Sequence, residues 1–180
     1  MPSASDTPNL ASPTLPAGSI TAMETINGDN AKLEASHFFS GFSIPIPALH
    51  DIVGIELVVT AAFSPSSVSG TANDCFRIAP DGRTFTDALS PNAAFPSLTD
   101  GVATRTFGGS SNLLDLSPTL LESAAAASFE SLVITYIHPA AADIFHVDEL
   151  KIVIHYQKKP GAPIQIISGR VQLINGRISI

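Results

Sequence analysis

Leu150-Lys151-Ile152-Val153-Ile154-His155-Tyr156 decides the fold class. Leu150, Ile152, Ile154 and Tyr156 alternate with Lys151, Val153 and His155, the period of a strand with one buried face. Ile55, Leu57 and Val59 alternate in the same way with Glu56, Val58 and Thr60. Phe129–Ile137 is β-branched and apolar enough for a central strand. Further strands are predicted near Ser19–Ile26, Ala31–Phe42, Cys75–Ala79 and Val102–Phe107. Asn27-Gly28, Pro80-Asp81-Gly82 and Gly108-Gly109 mark turns between them. One helix is predicted, Pro118–Ala127, with Ser117 as its cap and Pro118 in its first position. Seven or more short strands and one small helix give an all-β class: an antiparallel, jelly-roll-like β-sandwich.

The flanks of this body read differently. Residues 1–18 carry Pro2, Pro8, Pro13 and Pro16 among Ser and Thr, too little apolar surface to offset ordering entropy. They are expected to form a flexible N-terminal arm, with the sandwich body at 19–156. Residues 157–180 begin with a linker, Gln157–Pro163, and continue into a strand-forming tail. There Asn175-Gly176 sits between alternating apolar residues, a strong hairpin signal. Val171, Leu173, Ile178 and Ile180 are expected on one side of that ribbon. An isolated hairpin is marginal in water, so it needs a surface to lie on.

Charge divides at the same place. The chain of 180 residues has a formal net charge of −7, and only 14% of its residues are charged. An average soluble domain has roughly 25%. Residues 1–150 hold four basic against sixteen acidic side chains, a net of −12; residues 151–180 hold five basic and no acidic ones. The basic residues there are Lys151, Lys158, Lys159, Arg170 and Arg177. A basic apolar tail complements an acidic body, and reaching a neighbour's body would give a head-to-tail or ring contact. The low charge has two readings: a Ser/Thr-rich β-surface, or a surface covered by neighbours in an assembly.

Composition excludes several classes. An acidic chain lacks the clustered Lys and Arg of nucleic-acid binding. No apolar run reaches the length of a transmembrane helix, since Glu56 interrupts Ile52–Phe63. No basic n-region or apolar stretch of a signal peptide opens the chain, so synthesis inside the cell is expected. The single cysteine, Cys75, allows no intrachain disulfide or cysteine-rich zinc site, and a core role is expected for it.

Catalytic and metal chemistry finds little foothold. His37, His50, His138, His146 and His155 form no dense ligand spacing. His146 and Asp148, two apart on a strand, would need a third ligand for a metal; a rim histidine and a loop-ordering aspartate are the plainer roles. No G-x-S-x-G elbow is present. Gly108-Gly109-Ser110-Ser111 lacks the Lys and the following helix of a phosphate loop and reads as a turn. Asp74, Asp81, Asp87, Asp100 and Asp115 are the acids near predicted loops, read as exposed rather than as a glycosidase pair. Phe38, Phe39 and Phe42 read as core or subunit interface rather than as a sugar platform. No enzyme activity, cofactor or metal is expected.

Three segments together carry a family resemblance: TRTFGGSSNLLDLSPTLLESAAAASFESLVITY (104–136), FHVDELKIVIHY (145–156), and Ile44-Pro45 through Ile52-Val53-Gly54-Ile55-Glu56-Leu57. They span about 110 residues, Ile44 to Tyr156. This resembles a β-sandwich domain that recurs in bacteriophage virion structural proteins. Its marks here are Thr106-Phe107-Gly108-Gly109, Leu113–Leu116, Ser117-Pro118, Phe129–Tyr136 and Asp148–Tyr156. The pattern's usual Trp after the Leu-rich segment is missing, and Leu113 and Leu114 stand there instead. The resemblance implies a non-enzymatic virion component made in a host bacterium's cytoplasm, first of all a capsid decoration (cement) protein. A tail adaptor, a fibre protein, or a carbohydrate- or receptor-binding module on the same fold are the alternatives. Expected partners are major capsid or tail proteins and further copies of the chain, with a trimer as the expected oligomer. Apolar contact to neighbours falls to Ile164, Ile166, Val171, Leu173, Ile178 and Ile180. Lys158, Lys159, Arg170 and Arg177 supply charge.

Overall fold

A computed structural model describes residues 2–7, 10–12, 31–33, 36–64, 76–137, 144–160, 164–165, 172–174 and 177–179. Twelve strands and one α-helix fall within these residues. The strands are β1 (Ser3–Asp6), β2 (Leu10–Ser12), β3 (Ala31–Leu33), β4 (His37–Ser40), β5 (His50–Ser64), β6 (Phe76–Ala79), β7 (Ala103–Gly109), β8 (Val133–Tyr136), β9 (Ile144–Lys158), β10 (Ile164–Gln165), β11 (Gln172–Ile174) and β12 (Arg177–Ser179). The helix, α1, spans Pro118–Ala126, and a single 3-10 turn covers Leu98–Asp100.

Two antiparallel sheets face each other. The first has the order β1-β9-β5-β7, with β3 also pairing β9; the second has the order β2-β4-β8-β6. The predicted array of short strands gives way to a long spine. β5 and β9 are 15 residues each and pair from His50↔Lys158 to Ser64↔Ile144. Inward residues of the first sheet are Ile55, Leu57, Val59, Leu150, Ile152 and Ile154, all buried. Rings close the layer between the sheets. Tyr136 of β8 stacks on Phe145 of β9 with centroids 5.1 Å apart, and Phe76 of β6 meets Phe107 of β7 edge-on at 5.3 Å. Such pairs add to the area that large rings bury.

One bulge on each spine strand keeps the apolar residues pointing inward. Thr60 pairs with Glu149 but Ala61 with Val147, so Asp148 is the extra residue on β9. Before it the core takes Phe145 and Val147; after it, Leu150, Ile152 and Ile154. Without the bulge a period-two strand would expose one of these groups. Asp148 is itself buried at 1% exposure, and His146 at 7%. The second bulge sets Val53 between the pairs Ile52↔Tyr156 and Gly54↔His155.

The 86–94 segment seals one side of both sheets. Leu89 N–H donates to Phe76 O and Thr86 N–H to Ile78 O, both at 2.9 Å, along the edge of β6. Asn92 N–H donates to Thr106 O along the edge of β7, and Asn92 Oδ1 accepts from Thr106 N–H. An unpaired edge invites pairing with other chains, and these bonds occupy part of both edges.

Within the stretch expected as a flexible arm, the structure places two strands. β1 pairs with β9 (Ser3↔His155 to Asp6↔Ile152) and β2 with β4. Asp6 turns the corner between the sheets: its Oδ1 accepts from Thr7 N–H at 2.9 Å and its Oδ2 from Ser43 N–H at 2.7 Å. Composition misses this because the sheet, not the segment's own side chains, supplies the hydrogen bonds. Among the described residues no strand pairs with the outer side of β1 or β2.

The helix matches its signals: Ser117 Oγ accepts from Leu120 N–H and Pro118 opens the first turn. Its end corrects the strand expected at Phe129–Ile137. Ser128 N–H donates to Ala125 O and Phe129 N–H to Ala124 O, with φ of 50° at Ser128 and 56° at Phe129. This is a Schellman stop. It reverses the chain, buries Phe129, and delays the strand to Val133. The predicted strand at Ser19–Ile26 and the residue Cys75 lie outside the described residues.

Candidate functional site

The body ends where the basic C-terminal segment begins, and this junction is built from four elements. β9 runs on through Gln157 and Lys158, which were expected in a linker; Lys158 pairs with His50 and Gln157 with Asp51 across the spine. The next residue, Lys159, leaves the sheet, and its N–H donates to Leu49 O at 2.8 Å. Its Nζ then lies 3.0 Å from Glu122 Oε1 on α1 and 3.3 Å from Asp51 Oδ1 on β5. The hydrogen bond to Glu122, then that to Asp51, raises the Lys159 pKa above the ordinary lysine value.

Around this clamp lies a cleft of about 260 Å³, lined by the Ile46–His50 loop, Ile52, Glu122, Ala125, Ala126 and Lys159. The loop is braced. His50 Nδ1 sits 3.1 Å from Pro47 O and 3.0 Å from Ala48 O. Both partners are carbonyls, so Nδ1 carries the proton. The His50 ring packs edge-on against Tyr156 at 5.2 Å. Leu49 adopts φ of 62° and leaves 52% of its surface exposed. Ile44 N–H donates to Ser128 O at 2.7 Å, which ties the same loop to the end of α1.

Lys159, expected to supply charge to a neighbour, is thus engaged by carboxylates of its own chain. Beyond Pro160, Ile164 of β10 pairs with Leu173 of β11, Leu173 pairs with Ile178 of β12, and Arg177 pairs with Ile174. The turn positions Asn175-Gly176 and the expected contact residues Ile166, Arg170, Val171 and Ile180 lie outside the described residues. The sequence reading missed Asp51, Glu122 and Leu49 as partners of the tail's base. Asp51 and Glu122 stand at unremarkable polar positions, and only the run of β5 alongside β9, with α1 beside them, brings both to Lys159.

Several of the remaining candidates have structural roles. Asn112 bridges to Gly109, its N–H donating to Gly109 O at 3.2 Å, so Gly108–Asn112 is a turn. Asp81 organises its own turn by accepting from Arg83 N–H, Thr84 N–H and Thr84 Oγ1. Phe39 and Phe42 are core, whereas Phe38 faces outward with 48% exposed. Glu56 Oε2 lies 3.1 Å from His155 Nε2 on the outer face of the first sheet. Among the described residues, no group of three His, Cys, Asp or Glu side chains is placed to hold a metal ion. Among them, too, no helix is long and apolar enough to cross a membrane.

No family model matches this chain, and neither a curated protein nor a solved structure matches it.

Proposed function

We propose that this chain is a non-enzymatic structural component of a bacteriophage particle, a jelly-roll-like sandwich that fastens to neighbours through its C-terminal segment. Capsid decoration is the placement we favour. The observation that carries the reading is the Lys159 clamp. It fixes the point at which a basic, apolar segment departs from an acidic body. A segment that leaves from a fixed point loses less entropy on engaging a neighbour than one that leaves from a floppy stalk. Among the described residues nothing pairs with the outer sides of β1 and β2, whose backbone groups suit an incoming strand. The resemblance to phage virion domains supplies the particle.

Removal of residues 161–180 tests this. The cut falls after Pro160, because a cut after Gln157 would also remove the end of β9 and the clamp. Among the described residues the buried core lies between Leu33 and Ile154, so the cut removes none of it. Native mass spectrometry should show an oligomer, a trimer by expectation, for the full chain and a monomer after the cut. Raising salt should dissociate the full-chain oligomer, since exposed charges are screened beyond about 8 Å at physiological ionic strength. An oligomer that survives the cut unchanged would overturn the strap. The location of the chain in a map of an intact particle tests decoration against tail placement.

A further inference from the structure

A second cleft, of about 360 Å³, opens between the 84–87 loop and the approach to α1. Its floor is apolar, formed by Leu114, Leu116 and Leu120. Phe85 stands on one wall with 39% of its surface exposed. The polar groups are Thr84, Thr86, Asp87, Asp115 and Ser117. The volume is at the lower end of small-molecule sites, roughly 300–1,000 Å³.

Both walls are held in place without the two carboxylates. Asn112 Oδ1 accepts from Leu114 N–H at 2.8 Å, and Leu116 N–H donates to Leu113 O at 3.1 Å. Leu114 and Asp115 both adopt left-handed backbone, with φ of 55° and 59°. On the facing wall, Thr86 is pinned to Ile78 through its N–H and its Oγ1, and Asp81 holds Thr84. Thr86 Oγ1 accepts from Ile78 N–H and Ser117 Oγ from Leu120 N–H, so each hydroxyl keeps its own hydrogen to donate. Among the described residues, neither Asp87 nor Asp115 is engaged in a hydrogen bond or ion pair.

We infer that this cleft binds a neutral sugar, with one ring face against Phe85 and the hydroxyls shared between Asp87 and Asp115. The chemistry matches on each side. A pyranose has an apolar C–H face that suits an aromatic ring and an apolar floor. Its hydroxyls are donors, and two ionised carboxylates are acceptor-only groups that a donor-rich ligand satisfies. Hydrogen bonds to charged groups are the stronger kind. Two negative charges on the rim oppose an acidic sugar, which sets the preference for a neutral one. The inference does not depend on the strap.

Saturation-transfer NMR on the full chain tests it, with glucose, galactose, mannose and N-acetylglucosamine as neutral probes and N-acetylneuraminic acid as the acidic control. At least one neutral sugar should receive saturation, and the acidic one should not. Asp115→Asn removes the charge but keeps a residue that tolerates left-handed backbone. It should weaken the bound sugar by about tenfold or more, as expected for a lost charged hydrogen bond. Phe85→Ala, at an exposed position, should weaken it to a similar degree while the melting temperature stays put. The inference falls if no neutral sugar receives saturation. It also falls if the transfer is the same in both variants as in the parent, or if the acidic sugar binds as well as the neutral ones.

Discussion

Gly54 lies against the carbonyl of Gly109, with no room for a side chain between them. A Cβ built on Gly54 collides with Gly109 O and with the carbonyl carbon of Ser110, and falls 2.6 Å from Ser110 O. All of these obstacles are backbone, which cannot rotate away. The reciprocal approach is as tight: a Cβ on Gly108 (φ 82°) meets Ile55 O and lies 3.0 Å from Leu114 Cδ2. Gly54-Ile55 and Phe107-Gly108-Gly109, far apart in the chain, are therefore two halves of a single contact. Ile55↔Gly109 and Glu56↔Gly108 are paired residues of β5 and β7.

Gly54→Ala is accordingly expected to cost about 3 kcal/mol or more, the upper range of overpacking. Gly101→Ala is the control. Gly101 has φ of 87° and ψ of 174°, backbone essentially reserved for glycine, but nothing within 4 Å of its Cβ position, so only conformational strain of about 1–3 kcal/mol is expected. Urea midpoints of the two variants compare them. A Gly101 variant as unstable as the Gly54 variant would refute the steric account.

Ser128 ends α1 in left-handed backbone, the position where glycine is ordinarily found. Ser128→Gly should stabilise the protein by about 0.5–1 kcal/mol through relief of that strain. The check is a shift of the unfolding midpoint to higher denaturant with an unchanged slope. A drop in stability would mean that the serine side chain contributes more than its strain costs.

Thr135 is 7% exposed, and among the described residues its buried Oγ1 has no hydrogen-bond partner. Thr135→Val removes the desolvated hydroxyl and keeps a β-branched residue in β8. The expected outcome is a gain of up to about 1 kcal/mol, because an unmade buried hydrogen bond is a net cost. A loss of more than that amount in thermal or chemical unfolding would show that the hydroxyl is satisfied in solution.

Hydrogen bonds from Thr84 N–H above all, with those from Arg83 N–H and Thr84 Oγ1, hold the Asp81 pKa below the ordinary aspartate value. A carboxyl with a lowered folded pKa contributes stability above the unfolded pKa of about 3.9 and loses it as pH falls through the folded value. Asp81→Ala should therefore cost about 1 kcal/mol at neutral pH, an amount limited by solvent access. The difference between parent and variant should shrink across an acid series. A difference that grows as pH falls would contradict the sign.

Much of the secondary structure was legible from local pattern. Ser117-Pro118 marked the start of α1 because a cap and a proline act within one turn. Pro80-Asp81-Gly82 marked its turn because the aspartate bonds residues two and three positions on. The alternation at 150–156 marked β9. The bulge at Asp148 was also written in the chain, as the change of apolar phase between Phe145, Val147 and Leu150, Ile152, Ile154, but a single-strand reading does not look for a phase change. The stop at Ser128-Phe129 had no glycine to announce it.

The candidate sites were far less legible. Lys159 stood out only as one charge of a basic tail, and its partners Asp51 and Glu122 had no signal of their own. Asp87 and Asp115 were read as exposed loop acids, and Phe85 had no signal of its own.

The sequence by itself determined that this is a β-protein with one capped helix, an acidic body and a basic C-terminal segment. Those properties follow from periodicity, capping and charge, which act between residues near one another in the chain. Only the tertiary structure decided that Ser3–Asp6 belongs to a sheet, that Gly54 must be glycine, and that Lys159 is held by its own body. These depend in turn on pairing β1 with β9, β5 with β7, and β5 with β9 beside α1, and such long-range contacts are fixed by packing two faces together rather than by any local preference.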